Sequence, residues 1–149
     1  MCNHQTYSRF FLDKLMVDAS LRAAGQHDLP RVLSLYRHLH PHDPPLDTAT
    51  AESTWSMLIA SQFMTVIVAE TEDLLVSSCT LAIVPNLSRG ARSYGGIENV
   101  VTHPDYRRQG LGRRVLAHAL DIAWQADCYK VHLATGSKRE ATLQFYEGA

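Results

Sequence analysis

The chain has 149 residues, 46% of them apolar and 19% charged, with a formal net charge of −1. That length suits one ordinary domain, which buries about two thirds of the surface its unfolded form would expose. Charges of both signs are interspersed and offer no broad field for nucleic acid or an anionic membrane, so neither is expected as a partner and an anionic ligand has to be held locally. Cys2, Cys79 and Cys128 are odd in number and widely spaced, which predicts reduced thiols and a cytoplasmic location rather than a disulfide framework or a thiolate zinc site.

Residues 1–16 read as a lead-in, because Phe10, Phe11 and Leu12 between Arg9 and Asp13 are too few and too interrupted for a signal sequence or a membrane span. Residues 17–149 read as one domain. A first strand is expected around Ser20 to Arg22, then a helix through His38 with Asp28 as N-cap and Pro30 in its first turn. After a loop from His40 to Asp47, a second helix from about Ala49 to Gln62 is expected to gather Trp55, Leu58, Ile59 and Phe63 on one face. Thr65 to Ala69 and Leu74 to Ile83 are β-branched and apolar, and they predict an antiparallel hairpin across Glu70 to Asp73. Ile97 to Thr102 is the next strand, closed by His103, Pro104 and Asp105. A helix then runs to about Ala126, with Leu111, Val115, Ala119, Ile122 and Ala126 on one face and Arg114, His118, Asp121 and Gln125 opposite. A strand at Tyr129 to Thr135 and a helix at Ala141 to Glu147 complete the order β-α-α-β-β-β-α-β-α, a mixed α/β sheet rather than a doubly wound one.

Arg107-Arg108-Gln109-Gly110-Leu111-Gly112 stands between a strand and a helix. The first N–H groups of a helix lack intrahelical partners and that end is partly positive, so it suits an anion. Glycines at 110 and 112 let a phosphate approach the backbone, and Arg107, Arg108, Arg113 and Arg114 add charge. Two glycines in a tight strand-to-helix turn are the plainer explanation, and spacing alone leaves both open. A nucleoside triphosphate loop needs Gly-Lys-Ser/Thr, whereas Arg113 follows Gly112 here. A dinucleotide fold needs a third glycine and an acid near the end of the next strand, but Val115 and Ala134-Thr135-Gly136 stand there.

The six-residue loop fits fully the Arg/Gln-x-x-Gly-x-Gly/Ala signature of the GNAT superfamily of N-acetyltransferases, which the chain resembles. The resemblance extends to Val100-Val101-Thr102-His103-Pro104-Asp105-Tyr106 before the loop, and to Leu133-Ala134-Thr135-Gly136-Ser137 and Ala141-Thr142-Leu143-Gln144-Phe145-Tyr146-Glu147 after it. It covers about 96–149 closely, while earlier elements agree in order. It implies a sheet whose fourth and fifth strands splay apart, and acetyl-CoA as cosubstrate. The backbone from Arg108 through Gln109, Gly110 and Leu111 to Gly112 would hold the pyrophosphate, helped by the side chains of Arg107, Arg108 and Arg113. Main-chain groups of Val100 and Val101 would pair with the pantetheine arm, the Val101 amide facing the thioester carbonyl as an oxyanion donor.

Transfer to an amine asks for one base and one acid. By position in the resemblance, Tyr146 is the acid that protonates the departing thiolate, with a packing tyrosine as the alternative. Glu98 falls where some relatives place an acid that meets the substrate amine, with a structural glutamate as the alternative. Asn99 is expected on the opposite side of that strand. His38, His40, His42 and Asp43 suggest substrate contact from a surface loop ahead of a metal site, and no metal is expected. Cys79 and Cys128 read as core residues, so direct attack by the acceptor is simpler than an acyl-enzyme.

Two departures stand out: Arg139 occupies a position where the family commonly has asparagine, and the chain stops where the family normally adds two strands. An edge strand left bare at Tyr129 to Thr135 predicts a homodimer or a truncated domain. The acceptor is expected to be a small-molecule or peptide amine. The other readings are a catalytically weak acyl-CoA-binding module and a phosphate-loop protein for another nucleotide.

Overall fold

The computed structural model describes residues 17–72, 74–135 and 140–148. The expected lead-in and Arg139 lie outside the described residues. Strands β1 (Ser20–Ala23), β2 (Met64–Thr71), β3 (Leu74–Val84), β4 (Tyr94–Thr102) and β5 (Val131–Leu133) form one sheet in the order β1-β2-β3-β4-β5. The first four are antiparallel neighbours, and β5 joins β4 in parallel. Helices α1 (Leu29–Tyr36) and α2 (Thr48–Ala60) precede β2, α3 (Leu111–Gln125) links β4 to β5, and α4 (Glu140–Glu147) follows. The element order is the one expected, with a short helical turn at Ser88–Ala91 added between β3 and β4.

Two cores lie on the two faces of the sheet. Ile67, Ala69, Cys79 and Leu81 pack with Leu111, Val115, Leu116 and Ala119 of α3. On the other face, Val66, Val68 and Val101 pack with Val32 and Leu35 of α1 and Trp55 of α2. The strand residues alternate between the two cores, which is why Val66 to Ala69 of β2 read as an unbroken apolar run, while β3 buries Ser77, Ser78 and Thr80 at its centre. On α3 the buried stripe runs through Leu116 and Ala123, and Ala126 is exposed because the helix ends before it. Phe63, expected on the α2 face, lies beyond the helix end and is 44% exposed.

Two expectations about charged residues are corrected. Asp28 occupies the expected N-cap position of α1, but its side chain makes no capping hydrogen bond there. Its buried carboxylate accepts from the Gly25 N–H at 2.7 Å, Arg22 Nη1 at 2.6 Å and Arg31 Nη2 at 2.5 Å, while both arginines also reach Glu70 on β2. Two cations shared between two carboxylates thus tie β1, α1 and β2 together; hydrogen bonds from Arg22 first hold Asp28 well below the usual carboxylate range and also lower Glu70. The α2 cap is Asp47, whose side chain accepts from the Thr50 N–H at 2.9 Å. Arg114, expected on the outward face of α3, donates to the carbonyls of Val17 and Ala19 and anchors the segment before β1.

The β4–β5 register stops at Ile97 opposite Leu133, so Glu98 to Thr102 continue beyond the last paired position. This is the expected splay, and it is why β5 spans three residues rather than the seven between Tyr129 and Thr135.

Candidate active site

Beside the splay, β4 carries a bulge. Val101 pairs with Ser78 and Glu98 with Thr80, so Asn99 and Val100 together face Cys79 alone. Asn99 takes the extra turn at φ 53°, a left-handed conformation that asparagine tolerates better than most residues. The bulge shifts the strand's alternation. Ile97 and Val100 face the α3 core, Val101 faces the α1/α2 core, and Glu98 and Asn99 line one and the same cavity. Asn99 is therefore not on the opposite side from Glu98; strict alternation fails because one residue has been inserted.

That cavity, about 350 Å³, lies between α1, α2 and the β3–β4 floor. Tyr36 also lines it, with its hydroxyl 3.4 Å from Thr80 Oγ1. Burial pushes the Tyr36 phenol up, opposed by the polar groups of Thr80, Ser78 and Asn99. Sequence periodicity placed neither Tyr36 nor Thr80 in a site; the available signal was an asparagine and a polar β3 residue within otherwise apolar strands.

Tyr146 approaches from the other face. It is half-buried against the α3-side core, and its ring meets Phe145 edge-on at 5.1 Å between centroids. Burial raises its phenol above the ordinary tyrosine value, with smaller contributions from Cys79 and Glu98. Glu98 on β4 thus adds in a small way to the raising of the Tyr146 phenol. Cys79 is fully buried, donates to the Val115 carbonyl at 3.6 Å and is pushed up to about 12 by burial, which suits core packing rather than a thiolate nucleophile.

The glycine loop leads from β4 into α3. Gly110 is the N-cap of α3 at φ 77°, and no side chain caps the helix. A Cβ built at Gly110 meets nothing within 4 Å, so the backbone there faces open space. Arg108 is also left-handed at φ 62°, and two such residues in three give the kind of alternation from which anion-holding nests are built. Gly112 answers a different need from the one the sequence suggested: its Cβ would lie 3.0 Å from Phe145 Cζ and 3.4 Å from Thr102 Oγ1, so the missing side chain lets α4 pack against α3. Leu111 turns its side chain into the core and has only backbone to offer the loop.

Arg107, Arg108 and Arg113 are exposed around this opening. Arg107 Nε donates to the Thr102 carbonyl at 3.2 Å and Gln109 Nε2 to the Asp105 carbonyl at 3.4 Å, which bind the loop to the end of β4. The Val101 carbonyl accepts from Ser77 Oγ at 2.9 Å. An uncapped helix start, open space over Gly110 and flanking guanidiniums fit a diphosphate, and the splay gives an extended arm a route from there to the bulge. His38 stacks edge-on against His103 at 4.7 Å, away from His40 and His42 in the exposed loop. Among the described residues, no group of three His, Cys, Asp or Glu side chains is arranged to hold a metal ion.

Residues 29–148 match the family model described as Acetyltransferase (GNAT) family. A glucosamine 6-phosphate N-acetyltransferase of Trypanosoma brucei brucei is 35% identical over 133 residues, which cover 89% of this chain and 88% of that protein. A solved structure of a putative acetyltransferase from Agrobacterium tumefaciens str. C58 superposes with a TM-score of 0.82 at 47% identity, covering 87% of this chain and 90% of the other. Glucosamine-6-phosphate N-acetyltransferase from Arabidopsis thaliana, at 20% identity, shares the fold with a TM-score of 0.77 over 87% of this chain and 88% of its own.

Proposed function

Because the chain belongs to the GNAT family of acetyltransferases, we propose that it transfers an acetyl group to a primary amine by direct attack, using the bulged, splayed part of β4 as its reaction centre. Acetyl-CoA is the cosubstrate of this family and supplies the acetyl thioester. The observation that carries the reading is the bulge at Asn99, which brings Asn99 beside Glu98 at the cavity just where the β4–β5 register has ended at Ile97 and left β4 open.

In this reading the backbone from Arg108 to Gly112 holds the pyrophosphate, with Arg107, Arg108 and Arg113 around it. Val100 and Val101 offer main-chain groups to the pantetheine arm. The Val101 amide donates to the carbonyl oxygen as negative charge develops on it, a preorganised contact that strengthens toward the transition state. Glu98 attracts the ammonium of the acceptor and takes its proton, directly or through water. Tyr146 gives its proton to the departing thiolate; a phenol raised by burial stays neutral, and so able to donate, throughout the neutral range.

Calorimetry with acetyl-CoA, followed by free-thiol release in the presence of amines, tests the whole. Binding with amine-dependent thiol release is expected; binding without turnover for any amine returns the protein to a coenzyme-binding module. The activity for which the trypanosome relative is named makes glucosamine 6-phosphate the reference amine for that assay. We place the reaction in the cytoplasm, on the buried, unpaired thiols of Cys79 and Cys128. No helix among the described residues is long and apolar enough to cross a membrane. Residues 17–149 serve as one acetyltransferase unit. The outer side of β5 has no partner strand among the described residues, and a two-fold homodimer covering it is the accompanying proposal, tested by light scattering over a dilution series.

A further inference from the structure

The cavity beside Glu98 has a lopsided chemistry. Its walls are Leu29, Val32 and Leu33 from α1 and Trp55 and Leu58 from α2. Its floor carries two small residues that pair across the strands, Ala82 on β3 and Gly96 on β4, and the His132 imidazole lies 3.3 Å from where a Cβ on Gly96 would stand. Polar groups gather along one side of that floor, where Tyr36, Thr80 and Asn99 stand with the carboxylate of Glu98. The described lining thus contains one acidic side chain and no lysine or arginine, and the imidazole of His132 on β5 stands beside it over Gly96. The two arginines at the foot of α1, Arg22 and Arg31, are ion-paired to Asp28 and Glu70.

This arrangement selects by charge and by wetting. A phosphoryl group brings close to two negative charges and is normally met by guanidinium, ammonium or helix-terminal N–H groups. Here it would meet a carboxylate and an aliphatic wall. Sugar hydroxyls turned to that wall would lose water without gaining partners. A single ammonium is matched by Glu98, and a hydrocarbon body gains by leaving water for Trp55, Leu58 and the α1 leucines. The polar side of the cavity lies at the bulge, so an amine seated this way presents its nitrogen to the reaction centre and its apolar body to the helices.

We infer that the acceptor is a primary amine carried on a compact apolar body, alkyl or aryl, and not a phosphorylated amino sugar. The inference rests on the reading of β4 as the acetyl-transfer centre, and one assay separates the two. With the full chain and acetyl-CoA, thiol release is followed for 2-phenylethylamine, isopentylamine, glucosamine and glucosamine 6-phosphate, and acetyl-CoA affinity is measured by calorimetry. The expected result is a kcat/KM for at least one apolar amine ten-fold or more above that for glucosamine 6-phosphate. Ala82→Phe, which fills the floor, should lower the apolar amine's kcat/KM at least ten-fold with acetyl-CoA affinity kept. If that variant fails to fold, Thr54→Trp on the exposed side of α2 narrows the same cavity and should act in the same direction. Glucosamine 6-phosphate turning over as fast as the apolar amines, or glucosamine or glucosamine 6-phosphate turning over while the apolar amines do not, overturns the substrate class alone. Loss of acetyl-CoA binding in the unaltered protein overturns the reading beneath it.

Discussion

The two sides of β4 are built on different plans. On the α3 side, the proposed coenzyme end is a run of six consecutive residues that offers backbone amides, a left-handed glycine and exposed guanidiniums. On the α1/α2 side, the cavity is assembled from residues as far apart in sequence as Leu29 and Asn99, and its working parts are side chains. The first depends on a local conformation; the second depends on whole elements staying in place. A change in the loop should therefore alter binding of one ligand with modest effect on stability, while a change in the framework of the cavity should be felt throughout the protein.

Breaking that framework is expected to have the largest effect. Asp28→Asn leaves Arg22 and Arg31 facing each other with one carboxylate, and should cost about 2 to 3 kcal/mol of stability, at the low side for a buried ion pair because both guanidiniums keep 35% exposure. A carboxyl held low in the folded state contributes stability above its unfolded value of about 3.9 and loses it as pH falls below that. Urea unfolding from pH 7 down to pH 3 should show a declining stability whose slope is reduced in Asp28→Asn; equal slopes would deny Asp28 this role.

On the chemical side, Tyr146→Phe keeps the ring and removes the proton donor. It should lower kcat by about 10²-fold or more with acetyl-CoA affinity nearly kept. A loss below about threefold, with the chemical step limiting, would return Tyr146 to packing. Because its phenol is raised, the unaltered enzyme should show no falling limb from this group until pH exceeds about 10.

Gly110→Ala sharpens the contrast on the coenzyme side. The new methyl meets no protein atom but must adopt φ 77°, at a cost of about 1 kcal/mol, equivalent to a fall of some 2–4 °C in Tm. Acetyl-CoA affinity should fall about ten-fold, beyond what the backbone cost explains if the methyl stands where the pyrophosphate sits. Calorimetry and thermal melting on the same sample separate the two effects, and unchanged affinity would take the loop out of coenzyme binding.

The smallest expected effect is that of Glu98→Gln, because an exposed carboxylate shares its work with water. It should lower kcat/KM about five-fold near neutral pH and displace the pH–rate profile upward. An unshifted profile would leave Glu98 a binding residue only.

The strand–loop–helix turn proposed to hold phosphate was legible as a conformation because it is contained in local order: a strand, a basic pair, glycine at 110, a helix with an apolar stripe. Sheet order followed from period and turn residues, and both faces being covered explains the unbroken apolar run Val66 to Ala69 of β2. Tertiary structure decided what depends on partners distant in the chain. Asp28 has the right residue type and place for a helix cap, yet two arginines and the Gly25 N–H bind its carboxylate more strongly than its own helix does. Gly112 belongs to a phosphate motif, yet its missing side chain is required by Phe145. Asn99 stands one residue from Glu98, and alternation sends it to the other face; one inserted residue in the β3–β4 register brings it back. Local order thus determined the loop, the helices and the strand sequence, because each is a property of neighbours. The cavity and its apolar walls were decided only by packing, because no stretch of the chain contains more than a fragment of them.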